Sequence, residues 1–203
     1  RPDEMFPAWE ALPGEGAAGG EIEAERLRLC ARLRENDPTS DARPESIVLV
    51  APIQALMQPV PTPDALERNT LRMPVGARTL NGVPATPDAL VAWAVDRGFD
   101  RLELVESPGD VARRGDIVDL FAPGETNPYR VQFCGDEVES IRSFDVGTQR
   151  SIDTLRSIAV TALPHRSWTA GKGATDLLDY LPPDTLVVLD GPSEIQNLGE
   201  TIH

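Results

Sequence analysis

Catalysis needs groups that converge, and the acidic residues Asp110, Asp116, Asp119, Asp136, Glu137 and Glu139 are the first candidates. A metal-dependent nuclease holds its cations with such carboxylates, and in that reading Asp116, Asp119 and Asp136 form the cluster. Their spacing favours the opposite view. Most fall in turns or alternate along strands, where carboxylates are solvated, and no His or Lys stands nearby as a base. A phosphate loop is no better supported: around the single lysine, Lys172, Arg166 stands where the loop needs Gly and Gly173 where it needs Ser or Thr. ATP hydrolysis is therefore not expected. Cys30, Cys134, His165 and His203 lack zinc-site spacing, and His165 has no nucleophile motif beside it. Neither a metal nor a cofactor is expected.

Two arginines point to binding instead. Side chains alternate along a strand, so in Tyr129 to Cys134 the residues Tyr129, Val131 and Phe133 share one face, while Arg130, Gln132 and Cys134 share the other. The first face is the core, which sends Arg130 outward. Arg114, at a hairpin end two strands earlier, can stand near it. Paired guanidiniums suit a carboxylate-rich partner. The alternative is that each pairs with an Asp or Glu of its own sheet, and alternation leaves both open. Arg114-Gly115-Asp116 also spells a cell-adhesion tag, but in this context reads as a hairpin turn.

These residues need elements to hold them. Glu21 to about Asn36 reads as a helix, with Ile22, Leu29, Cys30 and Leu33 near one face, Leu27 flanking it, and Glu23, Glu25, Arg26 and Arg28 as surface charges. Phe6 and Trp9 should pack against this layer. The run Ile47 to Val50 reads as a strand buried on both faces of a parallel sheet, followed by a short helix from Ile53 to Met57. After a Pro-rich connector, Pro59 to Pro63, Thr86-Pro87-Asp88 starts a helix that Gly98 stops. Arg101–Val105, Val111–Arg113, Ile117–Phe121, Tyr129–Phe133 and Glu137–Phe144 read as antiparallel strands with tight turns at Gly115 and Gly135-Asp136. Thr185 to Leu189 reads as a last buried strand returning to the first layer. The expected fold is α/β: a degenerate nucleotide-fold-like parallel-sheet domain, split into residues 1–79 and 164–203, with a mixed α/β domain of antiparallel hairpins inserted at 80–163.

Composition narrows the partners. In 203 residues there are 19 basic and 33 acidic side chains, a net charge of -14, so the chain lacks the cationic surplus of a free-standing nucleic-acid binder. An acidic DNA mimic is conceivable on charge alone, but the mixed signs of residues 109–150 fit it poorly. Few thiols and no long apolar run suggest a cytoplasmic protein without a membrane partner. The chain opens on Arg1 rather than Met, as a segment of a longer protein would.

Three stretches carry a resemblance: Gly109-Asp110-Val111-Ala112-Arg113-Arg114-Gly115-Asp116-Ile117-Val118-Asp119-Leu120-Phe121, then Pro128 through Asp145 including Gly135-Asp136-Glu137-Val138-Glu139, then Thr148-Gln149-Arg150-Ser151. With Phe6-Pro7-Ala8-Trp9-Glu10 and Asp179-Tyr180-Leu181-Pro182, they resemble the UvrB-homology module of the bacterial transcription-repair coupling factors. The resemblance implies a UvrB-like first domain that does not hydrolyse ATP and an inserted domain that binds the repair protein UvrA. It also implies that RNA polymerase and DNA are met only through segments outside these residues. Carried over by motif, the UvrA contacts are Arg114, Arg130 and a third position, aromatic in the family, occupied here by Cys134.

Overall fold

The computed structural model describes residues 3–9, 20–35, 47–162, 173–193 and 195. Its first region contains β1 (Asp3–Met5), α1 (Gly20–Glu35), β2 (Val48–Val50), α2 (Ile53–Leu56), β3 (Val60–Pro61) and α3 (Pro63–Arg68). Helix α1 buries Leu27, Leu29, Cys30 and Leu33 against Phe6, Trp9, Ala55, Val60 and Leu66. On its outer side Glu25 and Arg28 form the expected pair one turn apart, at 2.7 Å. Arg26 departs from expectation. Instead of facing solvent it is 2% exposed, with its guanidinium over the rings of Phe6 and Trp9. Carbonyl oxygens converging from two loops replace water around it, which makes a buried cation tolerable.

Two expected buried strands are corrected. Val48–Val50 does pair in parallel, with β1, but Val48 and Val50 stay exposed because nothing among the described residues covers the second face of this two-stranded sheet. Thr185 to Leu189 forms no strand, and Leu186, Val187, Val188 and Leu189 are all exposed. Its apolar composition is not met by a hydrogen-bonding edge. The return to the first core is made just before it. Leu177 and Tyr180 are buried there, and the Tyr180 hydroxyl donates to the Pro61 carbonyl at 2.7 Å.

The second region runs through β4 (Thr70–Pro74), β5 (Thr79–Leu80), β6 (Val83–Pro84), α4 (Pro87–Val95), β7 (Asp100–Leu102), β8 (Asp110–Arg114), β9 (Ile117–Leu120), β10 (Tyr129–Cys134), β11 (Glu137–Phe144), β12 (Ser151–Leu155) and β13 (Ser157–Thr161). A further short strand, β14 (Ala174–Thr175), pairs with β3. Six strands form one sheet in the order β12-β11-β10-β9-β8-β7. Its inner face supplies Val111, Val118, Leu120, Val131, Phe133, Val138 and Ile141, against which α4 packs Leu90, Val91, Trp93 and Ala94. Each such side chain, when fully buried, contributes roughly 1.5–3 kcal/mol. Helix α4 starts as read, with the Thr86 hydroxyl accepting from the Ala89 N–H at 3.2 Å and Pro87 in the first turn. The same Thr-Pro-Asp signature at Thr62-Pro63-Asp64 starts α3, at the end of what reads in the sequence as a Pro-rich connector.

The sheet is antiparallel except at β7, which pairs in parallel with β8. The reading of Arg101–Val105 as an antiparallel strand is thus corrected. The chain after β7 loops over the outer face, buries Val105 against Ala112 and Phe121, and is held by the Asp110 carboxylate, which accepts from the N–H groups of Glu106 and Ser107. A loop of this kind reverses direction twice, so the next strand runs the same way. The whole is mixed α/β, richer in sheet than in helix. No helix among the described residues is long and apolar enough to cross a membrane.

Candidate docking surface

Register decides which side chains meet on the outer face of the sheet. Across it, Ala112 of β8, Asp119 of β9, Arg130 of β10, Arg142 of β11 and Thr154 of β12 stand opposite one another in a row. Alternation places Arg130 and Cys134 outward and buries Val131 and Phe133, as the sequence pattern requires. Arg114 is the last residue of β8, before the hairpin turn that Gly115 makes possible at φ 61°.

The two arginines meet on one carboxylate. Asp119, 2% exposed, accepts from Arg130 Nε at 2.7 Å and Nη2 at 2.8 Å, and from Arg114 Nη2 at 3.1 Å. The in-sheet alternative is therefore the one seen, with a single carboxylate serving both arginines. The guanidiniums pair within their own sheet, yet the Arg114 side chain remains 56% exposed and that of Arg130 21%. Hydrogen bonding to Asp119 raises the Arg130 pKa above its ordinary value, outweighing the cost of partial burial. Arg113, by contrast, turns to Asp88 on α4 and to the Gly115 carbonyl, tying the hairpin to the helix.

Sequence reasoning passed over Phe144 and Gln149. The Arg130 guanidinium lies 4.2 Å from the centre of the fully buried Phe144 ring. Gln149 Oε1 accepts from Arg130 Nη2 at 3.0 Å, and Gln149 Nε2 donates to the Val146 carbonyl. Its φ of 60° is the left-handed conformation that non-glycine residues seldom adopt. The turn before it is closed by Asp145, whose carboxylate accepts from the hydroxyl and the N–H of Thr148, which lowers its pKa. Thr148-Gln149-Arg150-Ser151 carried family information in the sequence, but a contact between the Gln149 and Arg130 side chains has no periodic signature.

Cys134 is exposed at the end of β10, opposite Glu137, and lies past a register shift between Gln132 and Phe133. The acidic residues do not assemble into a metal centre. Asp119 is occupied by two arginines, Asp116 and Asp136 lie exposed in the turns at either hairpin, and Glu137 and Glu139 pair with Arg78 and Gln132. Among the described residues no group of three His, Cys, Asp or Glu is placed to hold an ion. Lys172 and His165 lie outside the described residues.

This surface falls within a recognised module: residues 81–166 match the model of the UvrB interaction domain. The chain is also similar to curated proteins described as transcription-repair-coupling factors. It is 32% identical over 157 residues to that of Bacillus subtilis, covering 77% of this chain and 12% of the relative. With the Mycobacterium tuberculosis protein the figures are 35% over 152 residues, 74% and 12%. With the Escherichia coli protein they are 31% over 188 residues, 92% and 15%. The chain thus spans about 12–15% of the length of these relatives. A UvrB interaction domain, in a sequence alike over most of its length to these proteins, leads to one assignment: the chain belongs to the transcription-repair-coupling factor family.

Proposed function

We propose that the chain is the N-terminal UvrB-like module of a transcription-repair-coupling factor, and that it binds UvrA so as to bring nucleotide excision repair to a stalled RNA polymerase. The observation that carries the proposal is the convergence of Arg114 and Arg130 on Asp119, with both side chains still partly exposed within the matched domain. In this reading the module acts in the cytoplasm by binding alone. ATP hydrolysis and the contacts with polymerase and DNA belong to segments outside these residues. Arg114, Arg130 and Cys134 form the contact. Residues 1–79 and 164–203 make one degenerate nucleotide-fold-like domain into which 80–163 is inserted. Pairing of β14 with β3 and the Tyr180–Pro61 hydrogen bond support that split.

Titration of UvrA against the purified chain and against Arg130→Ala tests the reading. Truncating one member of a hydrogen-bonded charge pair at an interface costs about 2–5 kcal/mol, so the variant should bind at least about thirtyfold more weakly. A folded Arg130→Ala with unchanged affinity would overturn it.

A further inference from the structure

Arg114, Arg130 and Asp119 carry two positive charges and one negative, so the trio has a surplus of one positive charge on a chain of net charge -14. The hydrogen bonds leave part of each guanidinium unused, on side chains that are 56% and 21% exposed. Arg130 uses Nε and Nη2 on Asp119, and Nη2 again on Gln149, which leaves Nη1 without an acceptor among the described residues. Arg114 uses only Nη2, leaving Nε and Nη1. Beneath them Asp119 is almost fully covered, Phe144 supports one guanidinium face, and Gln149 braces its end from a left-handed turn. A non-glycine residue held in that conformation is strained and persists only where the surroundings fix it.

We propose that Asp119 is the positioning residue of this surface: it fixes both guanidiniums so that their unused nitrogens and the surplus charge converge on a single carboxylate of UvrA. The inference rests on the docking role proposed above and adds to it the group that arranges the arginines and the chemistry they receive. A carboxylate is the fitting ligand because planar N–H donors match its oxygens and its charge balances the surplus. Gln149 serves as the second brace.

The sign of one substitution separates positioning from simple charge. Asp119→Asn removes a negative charge beside the arginines. If Asp119 only moderated the local field, UvrA would then bind more tightly. If it positions the arginines, binding weakens, by about tenfold on the scale of coupled neighbouring groups. In an Arg130→Ala background the same change should cost less than about twofold, because the main group it orients is gone. Arg114→Ala should flatten the salt dependence of binding, since one fewer charge meets the partner.

Equal or tighter binding by Asp119→Asn overturns the inference, as does an equal loss in both backgrounds, which would mark a merely structural effect. An unaltered salt dependence in Arg114→Ala removes the partner carboxylate. Should Asp119→Asn fail to fold, Gln149→Ala on the half-buried loop carries the test. It is expected to lose about threefold in affinity, again only when Arg130 is present, and no loss overturns the bracing arrangement. The two readings fail separately. Unchanged binding by Arg130→Ala ends the docking role itself, whereas a loss there combined with none in Asp119→Asn ends only the positioning role.

Discussion

Arg26 in the first region and Arg130 in the second, like Arg97 on Trp93, stack on aromatic rings at nearly the same distance. Arg26 lies 4.5 Å from the Phe6 ring centre and 4.7 Å from that of Trp9, while Arg130 lies 4.2 Å from that of Phe144. Their acceptors differ. Arg26 donates to the carbonyls of Pro7, Ala55, Gln58 and Pro59 and to the Gln58 side chain, so these acceptors are neutral, and burial pushes its pKa down to about 10 against the opposing pull of the Glu23 charge. It stays cationic at neutral pH, with its charge enclosed by neutral dipoles. Arg130 has a carboxylate, shares it with a second arginine, and keeps an exposed rim. Neutral acceptors around a buried cation close a fold, whereas a shared carboxylate leaves charge available to a partner.

The largest effect should come from breaking the first of these. Arg26→Ala removes the stacking on both rings and strands several buried carbonyls around a cavity, a combination expected to cost about 3–5 kcal/mol. Urea unfolding of the chain measures it. UvrA affinity of the folded fraction should stay within about twofold, because the docking row lies on another sheet. A loss under about 1 kcal/mol would erase the distinction drawn between the two arginines.

Next in size is Arg130→Lys. The ammonium keeps the charge but cannot match the two-point contact with Asp119 or lie flat on Phe144. Affinity for UvrA should fall about tenfold, or about 1.4 kcal/mol, with little change in the unfolding midpoint. Arg142→Lys, one strand over in the same row and exposed, is the control and should bind like the parent chain. No loss from Arg130→Lys would mean that total charge, and not the held geometry, governs docking, and equal losses from both variants would mean that a guanidinium anywhere in the row serves as well.

How much of this was legible beforehand follows the physics of each element. The outward face of β10, the hairpin at Gly115 and the capped start of α4 were readable because alternation, turn chemistry and capping are local. The meeting of Arg114 and Arg130 was anticipated as proximity, but the shared Asp119 was not. A carboxylate on β9 looks the same in sequence whether it faces a cation, a metal or water. Arg26 was misread for a related reason: its acceptors are backbone carbonyls, which no side-chain pattern announces. The apolar runs at Ile47–Val50 and Thr185–Leu189 were given more burial than they have, since hydrophobicity signals a tendency to be covered and not what covers it.

The cysteines extend the comparison. Cys30 is fully buried beside Arg26, and burial pushes its pKa from 9.0 up to about 12. From about pH 9 upward the unfolded chain loses this proton while the folded chain keeps it, so the folded state binds more protons and stability falls with rising pH. The thiol's own contribution is about 1 kcal/mol per pH unit between about pH 9 and 10, and Arg26, whose pKa lies at about 10, begins to titrate at the upper end of that range with the opposite sign. Alkaline unfolding of the chain against Cys30→Ala shows it, since the variant should lack this component. Identical slopes would place the thiol in contact with water.

Cys134 marks the smallest expected effect, and its direction is opposite. It is exposed on the face that carries Arg130, where the family resemblance implies an aromatic anchor. Large rings at such positions add contact area at low entropic cost, and among the described residues nothing packs over this end of β10 that a ring would displace, since Cys134, Gly135 and Asp136 are all exposed. Cys134→Phe should therefore tighten UvrA binding about threefold, near 0.7 kcal/mol, and leave stability unchanged. Alkylating the native thiol with a bulky polar reagent should act in the other direction, because that group projects into the same contact without the ring's apolar area. The register shift just before Phe133 makes the pair of measurements informative. If it turns residue 134 away from the arginines, both changes leave affinity untouched while Arg130→Lys still weakens it, and the contact ends at Arg130 instead of reaching the turn.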